Sequence, residues 1–385
     1  LGTTSTIFLA FGLNSLKLND QIKLMTVRRS NISAFKYLSP LLIYVGAILS
    51  FTSYGWECFI PLIYSFAIIP LLEILFKPDS SNLSEAEEEM AKKNRFYDWI
   101  LYIIVMLEYP VLFLFLRSML DPALSVTDMI GRITAMGLIC GTFGINIGHE
   151  LGHRVKHYEQ WLAKFSLMTS LYMHFFIEHN RGHHKRVATP EDPSSARYGE
   201  TVYAFWIRSI IESYKSAWHI SNNEMKKKGK PVLSIHNEMI QVHLLQFFFI
   251  LLIFSIFSYP VILYYFAAAV IGILLLETVN YIEHYGLSRN LLTNGKYERA
   301  MPEHSWNSDH VLGRIMLFEL SRHSDHHYLA SRKYQLLRHH DTAPQMPTGY
   351  PGMMILSLVP PIWFRVMNSR INNPLRNSSE AGIAV

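Results

Sequence analysis

The stretch NIGHELGHR, Asn146 to Arg154, sets His149, Glu150 and His153 in the pattern His-Glu-x-x-His. Residues four apart share a helix face, so the two imidazoles could hold one metal, with Glu150 as a general base. That is the zinc-peptidase arrangement. Further histidines stand in EHNRGHH (His179, His183, His184), NYIEHYG (His284) and RHSDHH (His323, His326, His327). Spacings of three and four let imidazoles converge on one ion. The neighbouring pairs His183/His184 and His326/His327 diverge by about 100° on a helix, which suits two nearby ions. Nine imidazoles are too many for one: a catalytic zinc takes three protein ligands, whereas two ions with four or five each would use them all. Imidazole serves zinc, copper, iron and nickel, so the residues do not name the metal. His284 alone reads more readily as a structural hydrogen-bonding group; the several clusters together favour metal.

Carboxylates stand beside the imidazoles: Glu150, Glu178, Glu283 and Asp325. A ligating histidine usually donates its other N–H to such a group, and that is the expected role; a hydrolytic base at Glu150 is the alternative. Glu277 lies two turns before His284 and could reach toward the site from inside the membrane. Glu73 and Glu108 are further intramembrane acids, which count as functional hints; Glu108, before Tyr109-Pro110, could instead pair internally. The remaining histidines, 157, 174, 219, 236, 243, 304, 310, 339 and 340, are read as surface residues, packing residues or supports of a ligand, with His304 and His310, which flank the block at 297–310, the expected exceptions.

The elements that must position these groups are membrane helices. Of 385 residues, 50% are hydrophobic and only 17% charged, against about a quarter charged in soluble domains. The formal charge of +5 fits a basic membrane face better than nucleic-acid binding. Two cysteines, Cys58 and Cys140, make neither a four-cysteine metal site nor a secreted disulfide scaffold. Six apolar stretches reach spanning length: 37–54, 58–76, 97–117, 129–148, 241–259 and 261–283. Lys and Arg number five in the first 36 residues, four in 77–96, thirteen in 149–240 and eleven from 285 onward. The positive-inside rule therefore puts both termini in the cytoplasm, with every histidine cluster on that side. The expected fold is all-α: a six-helix transmembrane bundle under a helical cytoplasmic cap, 149–240 and 284–370, carrying a histidine-rich dimetal site. Residues 1–36 are a cytoplasmic N-terminal segment, 37–370 the membrane domain and 371–385 a tail. Met25 is a candidate native start, leaving 1–24 upstream or disordered; an amphipathic N-terminal segment is the alternative. Residues 161–179 read as one interfacial helix, with a seventh span as the alternative, 222–231 as a basic exposed connector, and 80–95 as a capped, charged helix start.

HELGHR, EHNRGHH, NYIEHYGL and RHSDHH together resemble the integral-membrane alkane 1-monooxygenases, the alkane hydroxylase family. YERAMPEHSWNSDH (297–310) and LRHHDTAPQMPTGYPGM (337–353) are similar to its C-terminal blocks, and the resemblance runs from about 37 to 370. Fatty-acid desaturases and hydroxylases share the general histidine boxes; NYIEHYGL separates the alkane and xylene monooxygenases from them. The resemblance implies a non-haem di-iron centre with the nine motif histidines as ligands. It implies terminal hydroxylation of n-alkanes with O2, in a bacterial inner membrane. Electrons would pass from NADH through rubredoxin reductase and a separate rubredoxin, because two cysteines cannot build a fused one.

An alkane has no polar handle, so selectivity for its end must come from an apolar channel. Trp56, Trp99, Phe113 and Phe143 are candidate constrictions, with packing or interfacial anchoring as the competing reading. The rival functions are a fatty-acid desaturase or hydroxylase, a xylene-type monooxygenase, an intramembrane zinc protease and a metal transporter.

Overall fold

The computed structural model describes residues 33–372. The candidate start at Met25, the segment 1–24 and all but the first two residues of the 371–385 tail lie outside the described residues. Among the described residues, six helices are long and apolar enough to cross a membrane: Ser33–Thr52, Gly55–Leu75, Phe96–Ser118, Val126–Gly152, Glu238–Ile256 and Tyr259–His284, hereafter spans 1 to 6. The described residues are otherwise helices, turns and two isolated bridges. Hydropathy places each span to within a few residues but stops short at the polar ends. Span 4 continues through His149 to Gly152, and span 6 through His284, because helical hydrogen bonding does not end where side chains turn polar.

Spans 4 and 6 cross closely, and small residues permit it. A Cβ on Gly272 would meet the Cβ of Cys140 at 2.6 Å and the Gly141 nitrogen at 3.0 Å. One on Gly141 would stand 3.2 Å from the Gly272 carbonyl. Glycine lets two membrane helices approach backbone to backbone, and this crossing fixes His149 relative to His284. Gly272→Val should therefore strain the crossing by more than the about 1–3 kcal/mol of ordinary overpacking, because backbone atoms block relief. The expected result is a lowered thermal midpoint of purified protein, with metal content falling alongside.

Helix His157–Thr169 lies against the end of span 4, where a Cβ on Gly148 would meet the Ala163 carbonyl at 3.1 Å. At 13 residues it is too short to be a seventh span. The single helix expected over 161–179 is in fact two. The chain breaks after Thr169, with Leu171 at a left-handed φ of 53°, and helix resumes at Phe175. No glycine or proline marks the break, and its exposed backbone groups are met from elsewhere. The Gln246 side chain in span 5 donates to the Leu171 carbonyl (3.0 Å) and accepts from the Met173 N–H (3.2 Å). Ser166 and Thr169 donate to Glu108 (2.7 and 3.2 Å), which pairs internally.

The charged start after residue 80 is the helix Glu85–Lys93, its Ser84 and Glu87 forming a capping box. The longest cap helix, Val202–Lys227, absorbs the first six residues of the expected 222–231 connector. Its hydropathy is diluted by a polar face, so no apolar run betrays it.

Candidate metal centre

Four elements deliver the nine imidazoles. His149 sits on the last turn of span 4 and His153 caps it. The segment 175–186 carries His179, His183 and His184, the first two bounding a π-helical turn. Such turns recur at functional sites. His284 is the last residue of span 6, and the short helix His323–Tyr328 carries His323, His326 and His327.

The donor atoms gather in two groups, each within 4.8 Å: His149, His153, His179, His184 and His326 in one, His183, His284, His323 and His327 in the other. Each adjacent pair is split between the groups, as the divergence of neighbouring helical side chains requires. In the five-membered group the Nε2 atoms follow one another as His149–His326 (2.9 Å), His326–His184 (3.1 Å), His184–His179 (3.0 Å) and His179–His153 (3.1 Å). In the four-membered group they run His183–His327 (3.2 Å), His327–His323 (2.9 Å) and His323–His284 (3.2 Å).

Hydrogen bonding cannot account for these chains. A ring nitrogen carries either one proton or one lone pair, so it serves one such contact, yet His326, His184, His179, His327 and His323 each make two. A shared cation does account for them. With metal–imidazole bonds of about 2.1 Å, neighbouring donors stand about 3.0 Å apart on an octahedron and about 3.4 Å on a tetrahedron. The edges of the five-membered group match the octahedral spacing, those of the four-membered group run from it to midway between the two, and five donors exceed the four of a structural zinc site. The protonation state also fits. Burial, then the charges of His183 and Arg154, pushes His153 down to about 3. Burial likewise depresses His179, His184, His326 and His327, leaving the neutral ligand form.

The flanking carboxylates are placed differently from expectation. Glu150 accepts from Arg154 (2.7 Å) and the Tyr334 N–H (3.2 Å), and reaches no imidazole. Glu178 accepts from Arg186 (2.7 Å) and Ser216 (3.3 Å); burial and the nearby Asp192 charge push it up to about 7. Asp325 binds Arg332 (2.6 Å), His340 Nε2 (2.7 Å) and the Arg338 N–H (2.9 Å). It braces the helix of the last box against the C-terminal block rather than holding a ring of the site. Glu277 accepts from Ser209 (2.6 Å), Tyr172 (3.0 Å) and Asn280 (3.3 Å), within the protein and away from the imidazoles. Sequence neighbours of a ligand point wherever the helix turns them, and arginines take three of these five groups. Only Glu283 stands at the centre, its Oε2 3.2 Å from His323 Nε2. Glu73 accepts from the Gly313 N–H (2.7 Å), tying span 2 to the cap. His304 accepts from the Met301 N–H (2.9 Å) and His310 pairs with Ser308 (3.0 Å); neither joins a group.

The carboxylate that does hold a ring was missed. Asp192 Oδ2 lies 2.9 Å from His183 Nδ1 and also accepts from Ser195 (2.6 Å). Burial opposes both charges, yet Asp192 holds His183 above its ordinary value, and His183 with Ser195 holds Asp192 below the usual carboxylate range. The only signal in TPEDPSS is an acid in a turn eight residues after a histidine box.

A cavity of about 810 Å³, its mouth included, leads to the imidazoles. Its walls are mostly apolar, with Ile43, Phe66, Leu138, Leu275 and Met354 among them, and His149, His179, His323 and Glu283 also line it. The four aromatic residues considered as constrictions do not line it. Trp56, Trp99 and Phe113 are exposed on the outside of the bundle, and Phe143 is buried, stacked on Tyr44 at 4.3 Å.

Residues 130–357 match the family model of fatty acid desaturases. The chain is 36% identical to an alkane 1-monooxygenase of Pseudomonas putida, over 83% of this chain and 80% of that protein. It is 39% identical to an alkane 1-monooxygenase of Acinetobacter baylyi, over 79% of this chain and 74% of that one. A xylene/toluene monooxygenase hydroxylase component of Pseudomonas putida is 29% identical over 62% of this chain and 63% of its own length.

Proposed function

The chain belongs to the alkane 1-monooxygenase family, within the wider fatty acid desaturase family, and on that premise we propose that its two imidazole groups hold two irons that hydroxylate n-alkanes to 1-alkanols. The reaction class is alkane hydroxylation; the di-iron centre, the ligand set and the electron donor are the proposal. The observation that carries it is the apolar cavity lined in part by His149, His179 and His323.

When bound, iron supplies the O2 activation and oxidising power that an unactivated C–H bond demands. The nine motif histidines would hold it, five at one position and four at the other. One O2, two electrons and two protons convert a methyl group to a primary alcohol and one water. The chain's part is position. An alkyl chain lying in this apolar cavity would bring a terminal methyl group to the imidazoles that line it. Asp192 keeps the His183 Nδ1 proton in place and so presents Nε2 to the site. Glu283, beside His323 and in the cavity wall, can hold a proton where the chain end arrives.

Electrons would come from NADH by way of rubredoxin reductase and a separate rubredoxin. An acidic rubredoxin fits a basic face, since complementary charge speeds encounter. The preferred setting is the bacterial inner membrane, both termini and the imidazole end facing the cytoplasm; the lysine and arginine distribution supports that orientation.

The test is product analysis from cells co-expressing a rubredoxin and its reductase, supplied with an n-alkane series and with fatty acids. The proposal predicts 1-alkanols, whereas desaturated or hydroxylated fatty acids alone would replace it with the desaturase-type reading. Ser65 lines the cavity, buried and small. Ser65→Phe should shift the preferred alkane in that series to shorter chains, while short-alkane turnover stays within a few-fold of the parent.

A further inference from the structure

The helix Val202–Lys227 carries two unlike stripes on its flanks. Ser209, Ser213, Ala217 and Ser221 are buried against the rest of the protein. Tyr203, Ile207, Ile211 and Tyr214, at spacings of three and four, are instead 47%, 67%, 48% and 38% exposed. Tyr203 donates to the Leu358 carbonyl (2.6 Å), which joins the stripe to exposed Leu358, Val359 and Ile362. A third face, Glu212, Lys215 and His219, is polar and exposed. Lys226, Lys227, Lys228 and Lys230 end the element, all exposed.

Its partners fix its depth. Trp206 donates to Thr278 (3.1 Å) and Ser209 to Glu277 (2.6 Å), six and seven residues before span 6 ends at His284. At 1.5 Å per residue that is about 10 Å inside the end of the span. Tyr214 pairs with His243 (3.0 Å), five residues into span 5, or about 8 Å. The helix is thus recessed beside the ends of two spans, with its apolar stripe exposed there.

We propose that Val202–Lys227 lies in the bilayer interface on the imidazole side, with Tyr203, Ile207, Ile211 and Tyr214 among acyl chains and the terminal lysines on anionic lipid headgroups. An interfacial helix of this kind buries its apolar face about 5–10 Å deep and carries its basic residues at headgroup level, which matches both the depth and the lysine cluster. The occupant of the stripe is therefore lipid.

The test uses the full chain in lipid nanodiscs containing anionic phospholipid. Nitroxide labels are placed singly at Ile207→Cys, Ile211→Cys, Glu212→Cys and Lys215→Cys. Cys58 and Cys140 are buried, so one label per chain certifies that each variant is folded. Collision with dissolved oxygen, which concentrates among acyl chains, is compared with collision with a water-soluble nickel chelate. The expected ratio of oxygen to nickel accessibility is several-fold higher at 207 and 211 than at 212 and 215. Equal ratios at all four positions would overturn the proposal in favour of an aqueous helix. Shielding of 207 and 211 from both reagents would overturn it in favour of a second copy of the chain. Neither outcome depends on the metal content or on the reaction.

Discussion

Replacing His323 by alanine should cost the protein one of the two proposed irons and lower 1-alkanol formation by about a thousandfold or more, since a catalytic metal contributes several kcal/mol to the barrier. His323 lies in the middle of the smaller group, its Nε2 2.9 Å from His327 and 3.2 Å from His284. Its removal leaves three imidazoles, with Glu283 the nearest other donor. His153→Ala makes the informative contrast. His153 ends the chain of contacts in the larger group, touching only His179 through its Nε2 (3.1 Å), and four imidazoles remain without it. That variant should retain nearly both irons through purification while still losing most activity, because the geometry of the remaining ligands changes. Metal analysis and alkane turnover on both variants check the pair together. Equal iron loss from the two would contradict the division into five and four.

The second large effect is expected at Asp192, a residue outside every histidine motif. Its carboxylate accepts the His183 Nδ1 proton at 2.9 Å in a fully buried setting. That bond sets the tautomer and raises the basicity of Nε2. Loss of such a partner weakens metal affinity about 10–100-fold. Asp192→Asn keeps the shape and an accepting oxygen but removes the charge, so the ring should keep its orientation and lose basicity. Asp192→Ala removes both and leaves the His183 and Ser195 donors without their acceptor. The expected order in a chelator titration is parent, then asparagine, then alanine, with one iron of the two leaving early. Far-UV circular dichroism should remain that of the parent for the asparagine variant. Iron retention indistinguishable from the parent in both variants would show that Asp192 only organises its loop.

Much of this was legible in the chain, for identifiable reasons. Histidines at spacings of three and four declare a shared face, and the adjacent pairs declare two groups of donors rather than one; His183/His184 and His326/His327 do divide between the groups. Spans are legible because twenty consecutive apolar residues have few other uses. Direction is what a linear reading lacks. Glu150, Glu178 and Asp325 adjoin ligands in sequence, yet each turns to an arginine, whereas Asp192 arrives through a turn. The break between Thr169 and Phe175 left no trace because a non-glycine residue, Leu171, adopts the left-handed conformation and a glutamine from another span meets the freed backbone. The Val202–Lys227 helix went unread because its apolar stripe alternates with charge, so a hydropathy window averages it away.

The opening motif has a different meaning in place. His149 and His153 stand as two of five neighbouring imidazoles, and Glu150 is engaged by Arg154, so it is not poised as a hydrolytic base. The measurement that tests the account most directly is the metal content of the purified native chain. Two irons per chain, both lost on denaturation, are the predicted result. A single zinc per chain would contradict it and return His149, Glu150 and His153 to the hydrolytic reading.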